Sequence, residues 1–217
     1  MPRISSPILV LFIQFFLLIE GVTALVQQSW SALFVAVTTL VLTFLPNRFA
    51  GYLGITLPGS VLTGIVIFLF ATLFLGEVEG FYNRFWWWDV ALHFLSAVSF
   101  GLMGFLAIFM LFEGDRYAAP PWALAVLAFC VGLSIGALWE VFEFSMDQLF
   151  GTNMQKSGLV DTMKDLIVDT IGAAIGAVTG FFYLKGRQVG GLGHVMEQFV
   201  QANRRFYGKL TGRDDGD

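Results

Sequence analysis

The chain has 217 residues, of which 57% are hydrophobic and only 13% charged, with a net charge of −4 and a mean hydropathy of +0.76. A soluble domain carries roughly 25% charged residues, so composition excludes that class and points to the lipid bilayer. Membrane lipids are the expected partners, with no nucleic acid. The single cysteine, Cys130, excludes an internal disulfide and suggests no thiolate metal site; inside an apolar run it reads as a small core residue.

A helix needs about 20 apolar residues to cross a ~30 Å hydrocarbon core. Six runs qualify or nearly so: Ile8–Val26, Trp30–Leu45, Leu57–Leu75, Val90–Phe112, Pro121–Asp147 and Leu166–Leu184. Polar or turn-prone pieces separate them: QQS, PNR, GEVEGFYNR, EGDRYAAPP and GTNMQKSG. The first run contains Glu20, is long for a signal-peptide core and lacks a small-residue cleavage site, so it is read as a helix. The fold expected is all-α, a polytopic transmembrane bundle of about six helices over residues 1–185.

Residues 186–217 are expected to form a cytoplasmic segment. It comprises a flexible link at Gly186–Gly193, a short amphipathic helix over His194–Leu210 and a disordered acidic end. In that helix Val195, Phe199, Phe206 and Leu210 are apolar, while Arg204, Arg205 and Lys209 suit an anionic leaflet. A partly ordered topogenic tail is the alternative. With the N-terminus inside, Arg3, Arg48, Arg116 and six tail cations lie inside, against Arg84, Lys156 and Lys164 outside. The positive-inside rule then puts both termini in the cytoplasm.

The acids concentrate in Trp139–Gly172. Glu140, Glu143 and Asp147 are spaced three and four apart, and Asp161, Asp165 and Asp169 four and four, so each trio lines one helix face. Asp89 and His93 open the fourth run, one turn apart. With the N-terminus inside, all of these fall at the outer boundary, as do Glu20, Glu77 and Glu79. Small residues continue the same faces: Gly132 and Gly136, then Gly172, Gly176 and Gly180, and on the fourth run Ser96, Gly104 and Ala107. Such rows let membrane helices approach closely, so the carboxylates are expected inside the bundle.

So many like charges cannot all stay ionised unless a cation or water offsets them. Carboxylates with one imidazole form an oxygen and nitrogen donor set suited to Mg, Mn, Zn or Fe. The ligand candidates are His93, Glu140, Glu143, Asp165 and Asp169, and the catalytic candidates Glu140, Glu143 and Asp161. Plainer readings stand beside these. Glu140 and Glu143 are interfacial, Asp147 and Asp161 are solvated loop ends, His93 and Asp169 form a structural hydrogen bond, and Glu20 is a neutral packing acid. Trp86, Trp87 and Trp88 read as an interfacial aromatic belt.

Three motifs in order, WDVALHFLSA, ALWEVFEF and FGTNMQKSGLVDTMKDLIVDTIGA, resemble the YjdF-like family of polytopic membrane proteins. An aspartate before a histidine, a glutamate helix, and D-x-x-x-D followed by GA are similar, more loosely, to the VanZ-like group. The resemblance runs from Trp88 to Leu184. It rests on Asp89, His93, Trp139, Glu140, Glu143, Gln155, Asp161, Thr162, Asp165 and Gly172. It implies a multi-pass protein of a bacterial-type inner membrane with a shared polar site, and it supplies no activity.

Three function classes remain open on sequence. One is a metal-dependent membrane enzyme acting on a lipid or envelope substrate at the outer leaflet. The second is a proton- or cation-coupled transporter, and the third a non-catalytic assembly or sensor protein. Acids confined to one side, with Gly, Ala and Leu lining the other half, favour the first over transport.

Overall fold

The computed structural model describes residues 7–112, 115, 119–187 and 190–208. Among these the regular structure is helical: α1 (Ile8–Val26), α2 (Trp30–Leu42), α3 (Leu45–Tyr52), α4 (Gly59–Leu69), a π-helical stretch (Phe70–Val78), α5 (Phe81–Arg84), α6 (Trp88–Leu111), α7 (Pro121–Phe150), α8 (Leu159–Leu184), α9 (Gly190–Ala202) and a 3-10 turn (Arg204–Phe206). Six helical stretches are long and apolar enough to cross a membrane: α1, α2 with α3, α4 with the π-helical stretch, α6, α7 and α8. Their outward faces carry Phe12, Phe15 and Leu18 on α1, Leu138 and Val141 on α7, and Ile167 and Ile171 on α8. Exposed apolar surface on this scale suits lipid rather than water.

Several boundaries differ from those read off the hydropathy. The PNR piece is helical, because Pro46 falls in the first turn of α3, where its missing N–H leaves no bond unmade. The third span runs on through Gly76 and Glu77 to Val78. α7 continues past Asp147 to Phe150 and stops at Gly151, whose φ of 66° ends a helix at little cost. α8 begins at Leu159 instead of Leu166, so Asp161 and Asp165 are helical residues.

Two compact units divide the chain, residues 1–88 and 89–217. In the first, Val10, Leu17, Ala36, Leu62, Val66 and Phe74 form the core, and Phe16 packs edge-on against Phe70 and Phe74. Gln14 donates from Nε2 to Thr43 Oγ1 at 3.0 Å, joining α1 to the end of α2. The wider π-helical turn lets the ring of Tyr82 lie where a side chain on Gly76 would stand. Trp86 and Trp87 are exposed, as a belt requires, whereas Trp88 stacks edge-on against Phe81.

The second unit is built on backbone-to-backbone approach. A β-carbon at Gly172 would come within 2.8 Å of the Phe94 carbonyl oxygen, and one at Gly176 within 2.5 Å of that of Val98. Across the same seam, one at Gly101 would meet the Ala173 carbonyl at 2.8 Å. Gly132 of α7 faces Ala173 and Gly101. The glycine rows expected from sequence are therefore the contact lines of α6, α7 and α8. On α6, Gly101 joins Gly104 in this role, while Ala107 is exposed. Cys130 is also exposed, on the outer side of α7, and is not a core residue.

The C-terminal segment, helical over Gly190–Ala202 with a 3-10 turn at Arg204–Phe206 rather than over His194–Leu210, buries a different stripe from the one expected. Met196, Val200, Asn203 and Tyr207 are buried, and Phe199 and Phe206 lie at the edge of the contact. Their core partners include Phe105, Phe109, Leu124 and Ala128 at the end of the unit remote from the acids. Tyr207 donates its hydroxyl to the Leu106 carbonyl at 2.9 Å, and burial raises its pKa above the ordinary phenolic value. The expected ends at Arg3, Lys209, Leu210 and Arg213, and Arg116 between α6 and α7, lie outside the described residues.

Candidate functional site

Three helix segments bring their acids to one end of the second unit. Asp89 lies in the first turn of α6, where a carboxylate suits the helix dipole, and His93 follows one turn later. α7 delivers Glu140 one turn beyond Gly136, and α8 delivers Asp165 and Asp169 from its first half. Four of these groups are almost wholly shielded: Asp169 is 1% exposed, Asp165 3%, Glu140 4% and His93 8%. Ionised groups cost several kcal/mol in such surroundings unless they are compensated.

His93 is the hub. Its Nδ1 lies 3.3 Å from Asp169 Oδ1, and its Nε2 lies 3.8 Å from Glu140 Oε1. A carboxylate on Nδ1 fixes the tautomer and orientation of an imidazole and leaves Nε2 for another partner. Gly136 makes this possible, since a β-carbon there would collide with the Asp169 carboxylate. Among the described residues, neither oxygen of Glu140 receives a hydrogen bond. The Thr162 hydroxyl faces Glu140 without closing a bond of good geometry.

Asp89, His93 and Asp165 each offer a ligand atom, and the three atoms lie within 4.8 Å of one another. That spacing suits three donors around a single ion with modest contraction. His93 and Asp165 belong to the ligand set expected from sequence; Asp89 does not, although its one-turn spacing from His93 was visible. Asp169 lies against Nδ1 of His93, where a carboxylate can fix the ring's tautomer and orientation. Glu143 is half-buried and accepts a hydrogen bond from Trp139 Nε1 at 2.9 Å. Asp161 is half-buried at the start of α8, outside the close group.

The loop between α7 and α8 is tied to the site through a residue given no such role by the sequence. Asp147 Oδ1 accepts the Thr152 hydroxyl at 2.6 Å and the Met154 N–H at 2.7 Å, and Oδ2 accepts the Gln155 N–H at 2.9 Å. Gln155 then donates from Nε2 to Thr162 Oγ1 at 2.5 Å. One carboxylate thereby shapes the loop, and the loop holds the hydroxyl that faces Glu140. Glu20, Glu77 and Glu79 belong to the first unit: Glu20 is half-buried on α1, and the other two are exposed.

Residues 7–186 match the family described as "Predicted membrane protein (DUF2238)". The chain belongs to that family. This DUF2238 chain is also 34% identical over 98 residues to an "Uncharacterized protein" of Thermotoga maritima, covering 45% of this chain and 50% of the relative. It therefore spans about half the length of the curated relative it matches. No solved structure matches. The likeness to the VanZ-like group finds no support in these comparisons, and the YjdF-like family is not named by them.

Proposed function

We propose that the polar end of the second unit binds a divalent metal ion through Asp89, His93 and Asp165, and that it serves as the active site of a membrane enzyme. The observation that carries this reading is the convergence of those three ligand atoms within 4.8 Å, beside a buried glutamate whose oxygens receive no hydrogen bond. Mg, Mn, Zn and Fe are the ions that suit two carboxylates and an imidazole. The ion would offset the charge of the buried acids and polarise a bound substrate group.

The remaining residues divide the work. Asp169 holds His93 through Nδ1, and Glu140, close to Nε2, is the proton acceptor. Glu143 and Asp161 line the approach at the boundary. Headgroup depth makes a lipid or envelope substrate the natural class. The cationic tail favours cytoplasmic termini in a bacterial-type inner membrane, with the site at the outer leaflet.

Metal analysis by mass spectrometry on detergent-purified protein is the test. Stoichiometric metal in the wild type, lost in His93→Gln and lost on chelation with a lower melting temperature, is the expected result. Metal-free protein that melts identically with and without chelator would defeat the enzyme reading and leave a proton-coupled transporter or an assembly protein. A reporter fused after Asp217 that is active only outside the cytoplasm would reverse the orientation.

A further inference from the structure

α7 is longer than a bilayer requires. Its thirty residues extend about 45 Å, against a hydrocarbon core of about 30 Å. Two exposed tryptophans, Trp122 and Trp139, lie about 26 Å apart along its axis. That separation suits one indole at each membrane boundary. The turn beyond Trp139, which carries Glu143, then falls at headgroup depth.

This turn has an unusual composition for a lipid-facing surface. Trp139 is 44% exposed and Phe142 45%, with ring centroids 5.3 Å apart at a tilt of 40°. The Trp139 indole N–H holds the Glu143 carboxylate at 2.9 Å. Among the described residues no Lys or Arg forms an ion pair with Glu143, and Glu140 lies one turn behind it with neither oxygen closing a hydrogen bond and 4% exposed. Carboxylate surplus therefore extends from the metal-ligand group outward to an aromatic, lipid-exposed face. Lys156, in the loop, bears on Asp89 on the α6 side. An aromatic surface beside a carboxylate is the recognition chemistry of an organic ammonium group.

We propose that the lipid docking at this face carries a cationic amine headgroup, received by the Glu143 carboxylate and the exposed rings of Trp139 and Phe142. The inference deepens the active-site reading and rests on it for the claim that this lipid is the substrate. Glu143 is then a substrate-binding residue and stands outside the metal set. An anionic headgroup would meet the same acids with repulsion and with no donor on this turn beyond an indole already engaged.

The test is lipid selectivity in nanodiscs made from equal parts phosphatidylethanolamine and phosphatidylglycerol, with retained lipid counted by native mass spectrometry and metal measured on the same samples. Wild-type protein should retain the amine lipid several-fold over the anionic one. Glu143→Gln should bring the ratio to parity with unchanged metal content, and Glu143→Asp should keep the preference. Trp139→Phe, which keeps a ring and releases the carboxylate, should lower the ratio partway. Parity or an anionic preference in the wild type would overturn the inference, as would an intact preference in Glu143→Gln. Protection from unfolding by free ethanolamine equal to that by the lipid would overturn the lipid source. Metal-free protein with a Glu143-dependent preference would sink the metal site alone, and metal-loaded protein without preference would sink this inference alone.

Discussion

Gly176→Ala tests the claim that α6 and α8 meet backbone to backbone. The added β-carbon would stand 2.5 Å from the Val98 carbonyl oxygen, 2.9 Å from the Leu102 nitrogen and 3.0 Å from the Gly101 carbonyl carbon. Ordinary contact begins at 3.4 Å, so relief demands a separation of about 1 Å along the seam. All three obstacles are backbone atoms of a continuous helix, and no side-chain rotation can clear them. Overpacking of this kind costs about 1–3 kcal/mol, offset by the roughly 0.5–1 kcal/mol that alanine gains over glycine in a helix. A net loss of about 1–2 kcal/mol corresponds to a fall of roughly 2–8 °C in melting temperature for a chain of this size. Gly64→Ala on α4 is the control, because a β-carbon there meets nothing within 4 Å and the propensity gain stands alone. Melting in detergent, followed by tryptophan fluorescence, should place Gly176→Ala below wild type and Gly64→Ala at or above it. Equal melting of the two variants would refute the close seam.

Other expectations concern the site and the tail. Asp89→Asn and Asp165→Asn should each remove most of the bound metal, with a double-variant loss smaller than the two single losses combined, since both act on one ion; additive losses by mass spectrometry would separate them into different sites. Gly136→Ala should displace the Asp169 carboxylate from His93 and weaken metal binding by about 10–100-fold, the usual cost of disturbing a ligand's support; unaltered affinity in a chelator titration would contradict that geometry. Thr162→Val should cost about 1 kcal/mol by stranding the Gln155 amide, with Thr162→Ser restoring it; equal melting of both would remove the loop linkage. Tyr207→Phe should lower stability by about 1 kcal/mol. Because folding raises the Tyr207 pKa, its neutral form stabilises the fold fully below the unfolded phenolic value near 10. That contribution is lost as pH rises through the folded value. Tyr207→Phe should therefore melt with a shallower alkaline decline than wild type, and identical slopes would count against a buried hydroxyl.

The sequence carried the second unit's site further than its boundaries. Spacings of three and four put the acids and glycines on common faces because helix periodicity is the same in lipid and in water, and those faces do meet at Gly132, Gly136, Gly172 and Gly176. Hydropathy located α8 poorly, since Asp161, Lys164 and Asp165 dilute its first two turns while remaining helical. Pro46 misled in the same way, as a proline reads as a break unless its place in the first turn is known. The tail's buried stripe was displaced by one residue because Met196, Val200 and Tyr207 pack on protein rather than lipid, which no single-chain pattern distinguishes. For Asp147 a capping role at the loop end is one reading of the sequence, but its particular partners, two backbone amides and a threonine hydroxyl, are not legible there, because backbone donors leave no signature in sequence.

Packing and chemistry are joined at this end of the bundle by a single physical requirement. A carboxylate can be buried in a membrane span only where neighbouring helices exclude lipid, and lipid is excluded best where helices touch through glycine. Gly136 shows the consequence at one residue, since it admits the Asp169 carboxylate, which in turn orients His93. Glycine at that position serves the imidazole as much as the helix seam. Among the described residues the oxygens of Glu140 close no hydrogen bond, although the Thr162 hydroxyl of α8 and His93 Nε2 of α6 lie toward them. An acid so placed is destabilising while ionised and uncompensated, and a proton on it, a protonated His93 or a bound cation would each offset that cost. A tightly packed seam that holds a buried carboxylate closing no hydrogen bond among the described residues is the physical argument behind the proposed binding site.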